Sequence, residues 1–158
     1  IQKGELHRNF QGYTTKGGAD LIGIGLTSIG NGVDYYAQNF KELEPWENAL
    51  DNQNLPVFKG YKLSDDDQLR QFVIMELMSN FSLNISRVEK EFNINFKEYF
   101  SDALEALKEF EEAELITITK DKIEVSQTGA MLIRNICMPF DAYLNNIPED
   151  KRRFSKTI

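Results

Sequence analysis

Apolar positions follow a helical period through most of the second half of this chain. Ser64 opens a helix whose first turn, Asp65 to Asp67, carries the acidic charge that a helix N-terminus favours. Leu69, Phe72, Val73 and Leu77 then fall on one face, widened by Met75 and Met78. Ser86 with Glu89 three residues on predicts a capping box and a short helix through Phe92. The strongest pattern runs over 96–112, where Phe96, Tyr99, Phe100, Ala103, Leu104, Leu107 and Phe110 form a single stripe. Leu115–Thr119 and Ile123–Val125 are β-branched runs around a Lys120-Asp121-Lys122 turn, which predicts a β-hairpin. Thr128 is the expected cap of a last helix bearing Met131, Leu132, Ile136 and Cys137, interrupted before Pro139. Short helix, long helix, hairpin, helix is the order of a winged-helix-like module.

The first region reads differently. Glycines crowd the first 35 residues, whereas Gly129 is the only one between 64 and 145. Glycine is costly inside helices, so turns and short extended pieces are expected at the start and helices later. The apolar run Asp20–Leu26 is bounded by glycine and reads as a buried strand in need of a sheet to join. A modest helix is expected over 41–53, and Val57–Leu63 alternates as a short strand. The expected class is α+β, mainly helical, with a small antiparallel hairpin.

Composition narrows the choices. The 158 residues suit one domain with an appended segment, and 41% hydrophobic content supports a real core. No apolar run is long enough for a membrane span. One cysteine excludes an internal disulfide framework and any cluster held by several cysteines of this chain. A formal charge of −7 argues against a nucleic-acid partner. The chain begins at Ile1 with neither an initiator Met nor a signal-like segment, as a sequence starting inside a longer reading frame would. Without a secretory signal, the sequons at Asn80 and Asn84 read as chance, and the expected compartment is the cytoplasm, with the protein a monomer.

Candidate chemistry is sparse. His7 has no histidine or cysteine near it in sequence, so a packed or surface histidine is expected, with no metal site and no catalytic residue identified. Cys137 sits in an apolar stripe and reads as a buried, inert thiol. The acidic runs Asp65–Asp67 and Glu109–Glu114 read as solvated helix faces and ends. The glycines at 23, 25, 30 and 32 do not make a dinucleotide fingerprint, because Ser28 stands where the third glycine belongs, and no phosphate-loop Gly-Lys-Ser/Thr follows. Close packing of a strand end explains them, although glycine also lets backbone approach a nucleoside.

Longer motifs are more specific. Leu6–Thr15 reads LHRNFQGYTT, Asp20–Ile29 reads DLIGIGLTSI, and Tyr36–Asn39, Leu132–Met138, Phe140-Asp141 and Arg153-Phe154-Ser155 follow in order. Together these resemble the C-terminal part of the oxygen-independent coproporphyrinogen III oxidases, a branch of the radical S-adenosylmethionine (SAM) enzymes. A related heme-chaperone branch carries His-Asn-x-x-Tyr-Trp at the first motif. Here Arg8 separates His7 from Asn9, and Thr14 follows Tyr13, so the oxidase branch fits better.

The resemblance implies a longer parent whose N-terminal part is an incomplete β/α barrel. That part would hold a 4Fe-4S cluster on Cys-x-x-x-Cys-x-x-Cys, a motif this chain lacks, so the chain alone is expected to be inactive. In the family, radical chemistry from SAM converts two propionates of coproporphyrinogen III to vinyl groups with loss of CO2, giving protoporphyrinogen IX in heme synthesis. Residues 1–40 would be the C-terminal edge of the barrel, and 41–158 a helical domain covering the active site. By motif match, Phe10, Gln11 and Ile29 correspond to residues lining the SAM sites. Arg8 and Arg134 are candidates for the tetrapyrrole carboxylates, as are the tail cations Lys151, Arg152 and Arg153, because guanidinium pairs well with carboxylate. The electron donor is not identified. Competing readings are a heme-chaperone-like paralogue, a winged-helix module binding nucleic acid or protein, and a lid without ligand contact of its own.

Overall fold

The computed structural model describes residues 6–9 and 11–145, with the side chain of Asn145 left aside. The chain divides into two compact units, the first ending at Gln68 and the second beginning at Leu69. Among the described residues, helices are mixed with three small antiparallel sheets.

In the first unit, strands β1 (His7–Asn9) and β2 (Gly12–Thr14) form a hairpin that pairs Arg8 with Tyr13. Gly12 permits its turn by adopting φ +125°, a conformation that disfavours a Cβ. Strands β3 (Ile29–Asn31), β4 (Tyr35–Asn39) and β5 (Val57–Lys62) make a second sheet with β4 in the middle. Helix α1 (Leu43–Asp51) links β4 to β5, as the pattern over 41–53 predicts, and buries none of its residues. The expected strand over 20–26 does not form. Only Leu21 pairs, in a two-bond bridge with Asn31, and then Gly25 turns at φ +92° and Thr27 at φ +59°. Ile22 and Ile24 are left 78% and 89% exposed, contrary to the expectation of burial.

The second unit is built on α2 (Asp65–Asn80), whose first residues precede the division. Its start follows the expected signal: Ser64 Oγ accepts from the Asp67 amide at 3.2 Å, and Asp67 Oδ2 accepts from the Ser64 amide at 2.9 Å. Leu69, Val73 and Leu77, spaced by four, enter the core. Phe81 at φ +54° ends the helix and admits β6 (Ser82–Asn84), a strand the sequence reading did not anticipate. It pairs with β8 (Lys122–Val125), which also pairs with β7 (Ile116–Ile118), so the expected hairpin is two-thirds of a three-stranded sheet. Leu83, Ile123 and Ile118 stand in register across it.

Between these strands, α3 (Ile85–Phe92) is capped by Asn84, whose Oδ1 accepts from the Arg87 amide at 2.8 Å. Ser86 is therefore not the cap. Glu89, its expected partner, instead accepts from the Phe96 amide at 3.0 Å and joins α3 to the next helix. The stripe over 96–112 turns inward as expected except at Tyr99, which is exposed, and the helix is broken into α4 (Phe96–Tyr99), α5 (Ser101–Ala106) and α6 (Lys108–Glu112). The interruptions fall at Phe100 and Leu107, both buried, and backbone bonds from Leu104 to Phe100 and Leu107 to Ala103 carry the turn through. The last expected helix is also fragmented: a 3₁₀ turn (Gly129–Leu132), α7 (Ile133–Cys137), a second 3₁₀ turn (Met138–Phe140) and α8 (Ala142–Asn145). Thr128 makes no side-chain cap; Ser126 Oγ accepts from the Gly129 amide instead. Phe96, Phe100 and Phe140 close the core in a ring cluster with centroids 4.9 to 6.4 Å apart.

Candidate functional site

The glycine loop between Leu21 and Ile29 is the most constructed feature of the first unit. A Cβ on Gly30 would sit 2.7 Å from the Leu21 carbonyl oxygen, so only glycine lets the bridge to Asn31 form without displacement. The side chain of Asn39, buried at the end of β4, then ties the loop together. Its Nδ2 donates to the Gly25 carbonyl at 2.9 Å, to Ser28 Oγ at 3.0 Å and, at a longer 3.4 Å, to the Gly23 carbonyl. Ser28 Oγ in turn donates to the Gly25 carbonyl at 2.9 Å. Backbone bonds from Asn39 to Ser28 and from Thr27 to Phe40 complete the seam. A buried amide satisfied in this way holds a loop in one conformation, since any rearrangement strands a polar group without water.

Ile29 leaves this loop as the first residue of β3 and is half-buried. Asn31 follows on the same face, two residues along the strand, and its Oδ1 is buried without a hydrogen-bond partner among the described residues. Gln11 lies elsewhere, at the exposed tip of the β1–β2 hairpin, where its amide donates to Asn9 Oδ1 at 2.8 Å. Phe10 lies outside the described residues. Gln11 and Ile29 thus belong to different sheets of the first unit.

Arg8 stacks over the Tyr13 ring at 5.6 Å, while Arg134 is exposed on α7 of the second unit. Lys151, Arg152 and Arg153 lie outside the described residues. His7 is packed: a Cβ on Gly17 would run into its imidazole ring. Cys137 is buried, and burial pushes its thiol up from 9.0 to about 12, as expected of an inert thiol. Among the described residues no three His, Cys, Asp or Glu side chains are grouped to hold a metal ion. Cys137 is the one cysteine of the sequence, so a cluster held by several cysteine thiolates does not fit this chain's donor set.

Sequence reasoning placed Asn39 in a motif but assigned it no role, and it passed over Asn31. Neither has a local signal, because what each asparagine faces is decided by the pairing of β3 with β4 and by the bridge to Leu21.

Residues 63–132 match the family described as HemN C-terminal domain. Across its whole length the chain is 51% identical to oxygen-independent coproporphyrinogen III oxidase of Helicobacter pylori strain J99, aligning with 34% of that protein. It is 40% identical to the Escherichia coli K12 protein of the same name, over 99% of this chain and 34% of the relative. A solved structure of coproporphyrinogen III oxidase (HemN) from Escherichia coli, described as a radical SAM enzyme, is similar with a TM-score of 0.86 and 42% identity. That likeness covers 89% of this chain and 32% of the other. The chain spans about a third of the length of these curated relatives, 34% in each case, and is similar to them over that part.

Proposed function

We propose that this chain is the C-terminal portion of an enzyme that decarboxylates coproporphyrinogen III oxidatively to protoporphyrinogen IX, without oxygen and with SAM. The observation that carries the reading is 51% identity sustained over the entire chain, through both the glycine loop and the helical unit. The 4Fe-4S cluster belongs to the rest of the parent, since the only cysteine here is buried. When bound there, cluster and SAM supply the radical chemistry.

For SAM itself the first unit offers suitable groups. Gln11 presents an exposed amide, Ile29 an apolar contact, and Phe10 a ring by motif match. The orphaned Asn31 Oδ1 beside Ile29 is an acceptor that an amine donor would satisfy. Asn39 contributes by fixing the loop from which Ile29 emerges, so the contact is preorganised rather than ordered on binding. Residues 1–40 form, in this reading, the edge of the parent's barrel, with β3 and β4 extending its sheet. The exposed Ile22 and Ile24 support this, because apolar side chains in that number call for a covering surface. Residues 41–158 form the winged-helix-like part that covers the active site of a monomeric cytoplasmic enzyme.

The test uses the full-length parent, reconstituted with iron and sulfide under strict anaerobiosis. SAM-dependent CO2 release from coproporphyrinogen III is expected, with a clear drop in Gln11→Ala. Turnover that ignores the substitution demotes Gln11 to packing. A cluster-loaded, SAM-cleaving parent that leaves coproporphyrinogen III untouched points to the chaperone-like paralogue.

A further inference from the structure

The last helical stretch contradicts its own apolar pattern. Met131 and Leu132 share the apolar pattern of that stretch with Ile136 and Cys137, yet they are 80% and 43% exposed. The cause is the 3₁₀ turn Gly129–Leu132, which shifts the phase before α7 begins and sends Ile136 and Cys137 inward instead. The turn is held firmly. A Cβ on Gly129 would land on the Leu115 carbonyl oxygen, so its backbone lies flush against the residue that leads into β7. Exposure of Met131 and Leu132 is therefore a consequence of tight packing below them.

Arg134 stands three residues beyond Met131, and positions three apart are neighbours on a helical surface. It is exposed, and it makes no hydrogen bond, ion pair or ring contact among the described residues. It is also the only charged residue between Glu124 and Asp141, in a chain of which 27% is charged. A polarizable thioether and an isobutyl group beside an exposed guanidinium form a surface of mixed character. It suits a ligand that is apolar over a broad face and anionic at its edge.

Resting on the function proposed above, we infer that this turn is a contact surface for the tetrapyrrole. Met131 and Leu132 lie against the macrocycle, and Arg134 takes one of its peripheral carboxylates. The macrocycle supplies the apolar face and the propionates supply the charge that Arg134 complements. A protein surface covering the same turn would need its own carboxylate to offset a buried guanidinium.

The experiment uses the full-length protein and two readouts. Coproporphyrin III, the stable oxidised tetracarboxylate, serves as the binding probe, followed by its absorbance in wild type, Arg134→Gln, Arg134→Lys and Met131→Glu. A charge-assisted contact of this kind predicts affinity about tenfold weaker in Arg134→Gln, with a shallower dependence on salt, and largely recovered in Arg134→Lys. Met131→Glu should weaken binding through both lost contact and repulsion. In turnover, Arg134→Gln should raise KM for coproporphyrinogen III more than it lowers kcat. Unchanged affinity and KM in an enzyme that turns over its substrate overturns this inference and leaves the proposed function standing. A lowered melting temperature in Arg134→Gln and Met131→Glu together overturns it as well, since the turn is then covered by protein. A wild-type parent that binds coproporphyrin III through Arg134 but produces no CO2 upholds the surface and overturns the proposed reaction.

Discussion

The two units of this chain use apolar residues in opposite ways. Among the described residues, the buried hydrophobic side chains belong to the second unit with the single exception of Leu63. The first unit instead leaves Tyr13, Ile22, Ile24, Val33, Leu55 and Phe58 well exposed, and every residue of β5 is exposed. The second unit is held by a core in the ordinary sense, with helices and strands meeting around Phe96, Phe100 and Phe140. The first is held by strand pairing, tight glycine approaches and the bonds of one buried asparagine. The contrast separates a unit held by a buried apolar core from one that, in the reading proposed above, would be covered by the rest of the parent.

The sharpest test of that contrast is hydrogen exchange across the whole chain. Core amides of α2 and β8 should be protected up to the free energy of global unfolding, whereas those of Ile22–Leu26 should exchange by local opening at little cost. In the full-length parent the same loop should gain protection. Equal protection of loop and core in the chain alone would break the comparison outright. Substitutions come next. Leu77→Ala removes a fully buried side chain and should cost about 2–5 kcal/mol in urea unfolding. Ile24→Ala, at a position that is 89% exposed, should stay within about 0.5 kcal/mol.

Asn39→Asp probes the exception, a well-buried polar group in the weaker unit. The carboxylate would face the Gly25 carbonyl and Ser28 Oγ without the donor they need, and a buried unsatisfied group costs about 1–3 kcal/mol. Exchange at Gly23–Ser28 should rise while the second unit is unaffected, which proton-resolved NMR of the chain would read. The smallest effect concerns Cys137. Its folded thiol is raised to about 12 from 9.0, so the folded state prefers the protonated form. Its contribution to stability is complete below pH 9 and is lost as pH rises towards 12. Thermal unfolding of wild type should therefore fall more steeply over that range than in Cys137→Ala, whose own alkaline loss comes from the remaining titrating groups. Iodoacetamide should label Cys137 only after denaturation.

The same division decides what could be read beforehand. Where helical spacing met a core, residues announced their positions: Leu69, Val73 and Leu77, and then the stripe from Phe96 to Leu107. Errors there were local and had local causes, as when Asn84 took the cap assigned to Ser86. At Met131 and Leu132 periodicity failed because a 3₁₀ turn changed the phase, and the clash-free fit of Gly129 that permits it depends on distant Leu115. In the first unit, alternation predicted β5, but the apolar run at 20–26 promised a burial that this chain cannot supply. The candidate cofactor residues came from motif likeness alone. Asn39 and Asn31 were not legible, since strand register determines what they face.

One consequence of the central strand concerns time. β6 leaves the ribosome well before β8, its only partner in the sheet, and the segment between them contains α3 to α6 as well as β7. Leu83 therefore has no neighbour across the sheet until Ile123 has been made, and Phe96 waits longer still for Phe140. Closing a loop of that length is slow compared with winding a helix. The second unit should consequently assemble late and all at once, with its helices already formed and waiting for the final residues of the core.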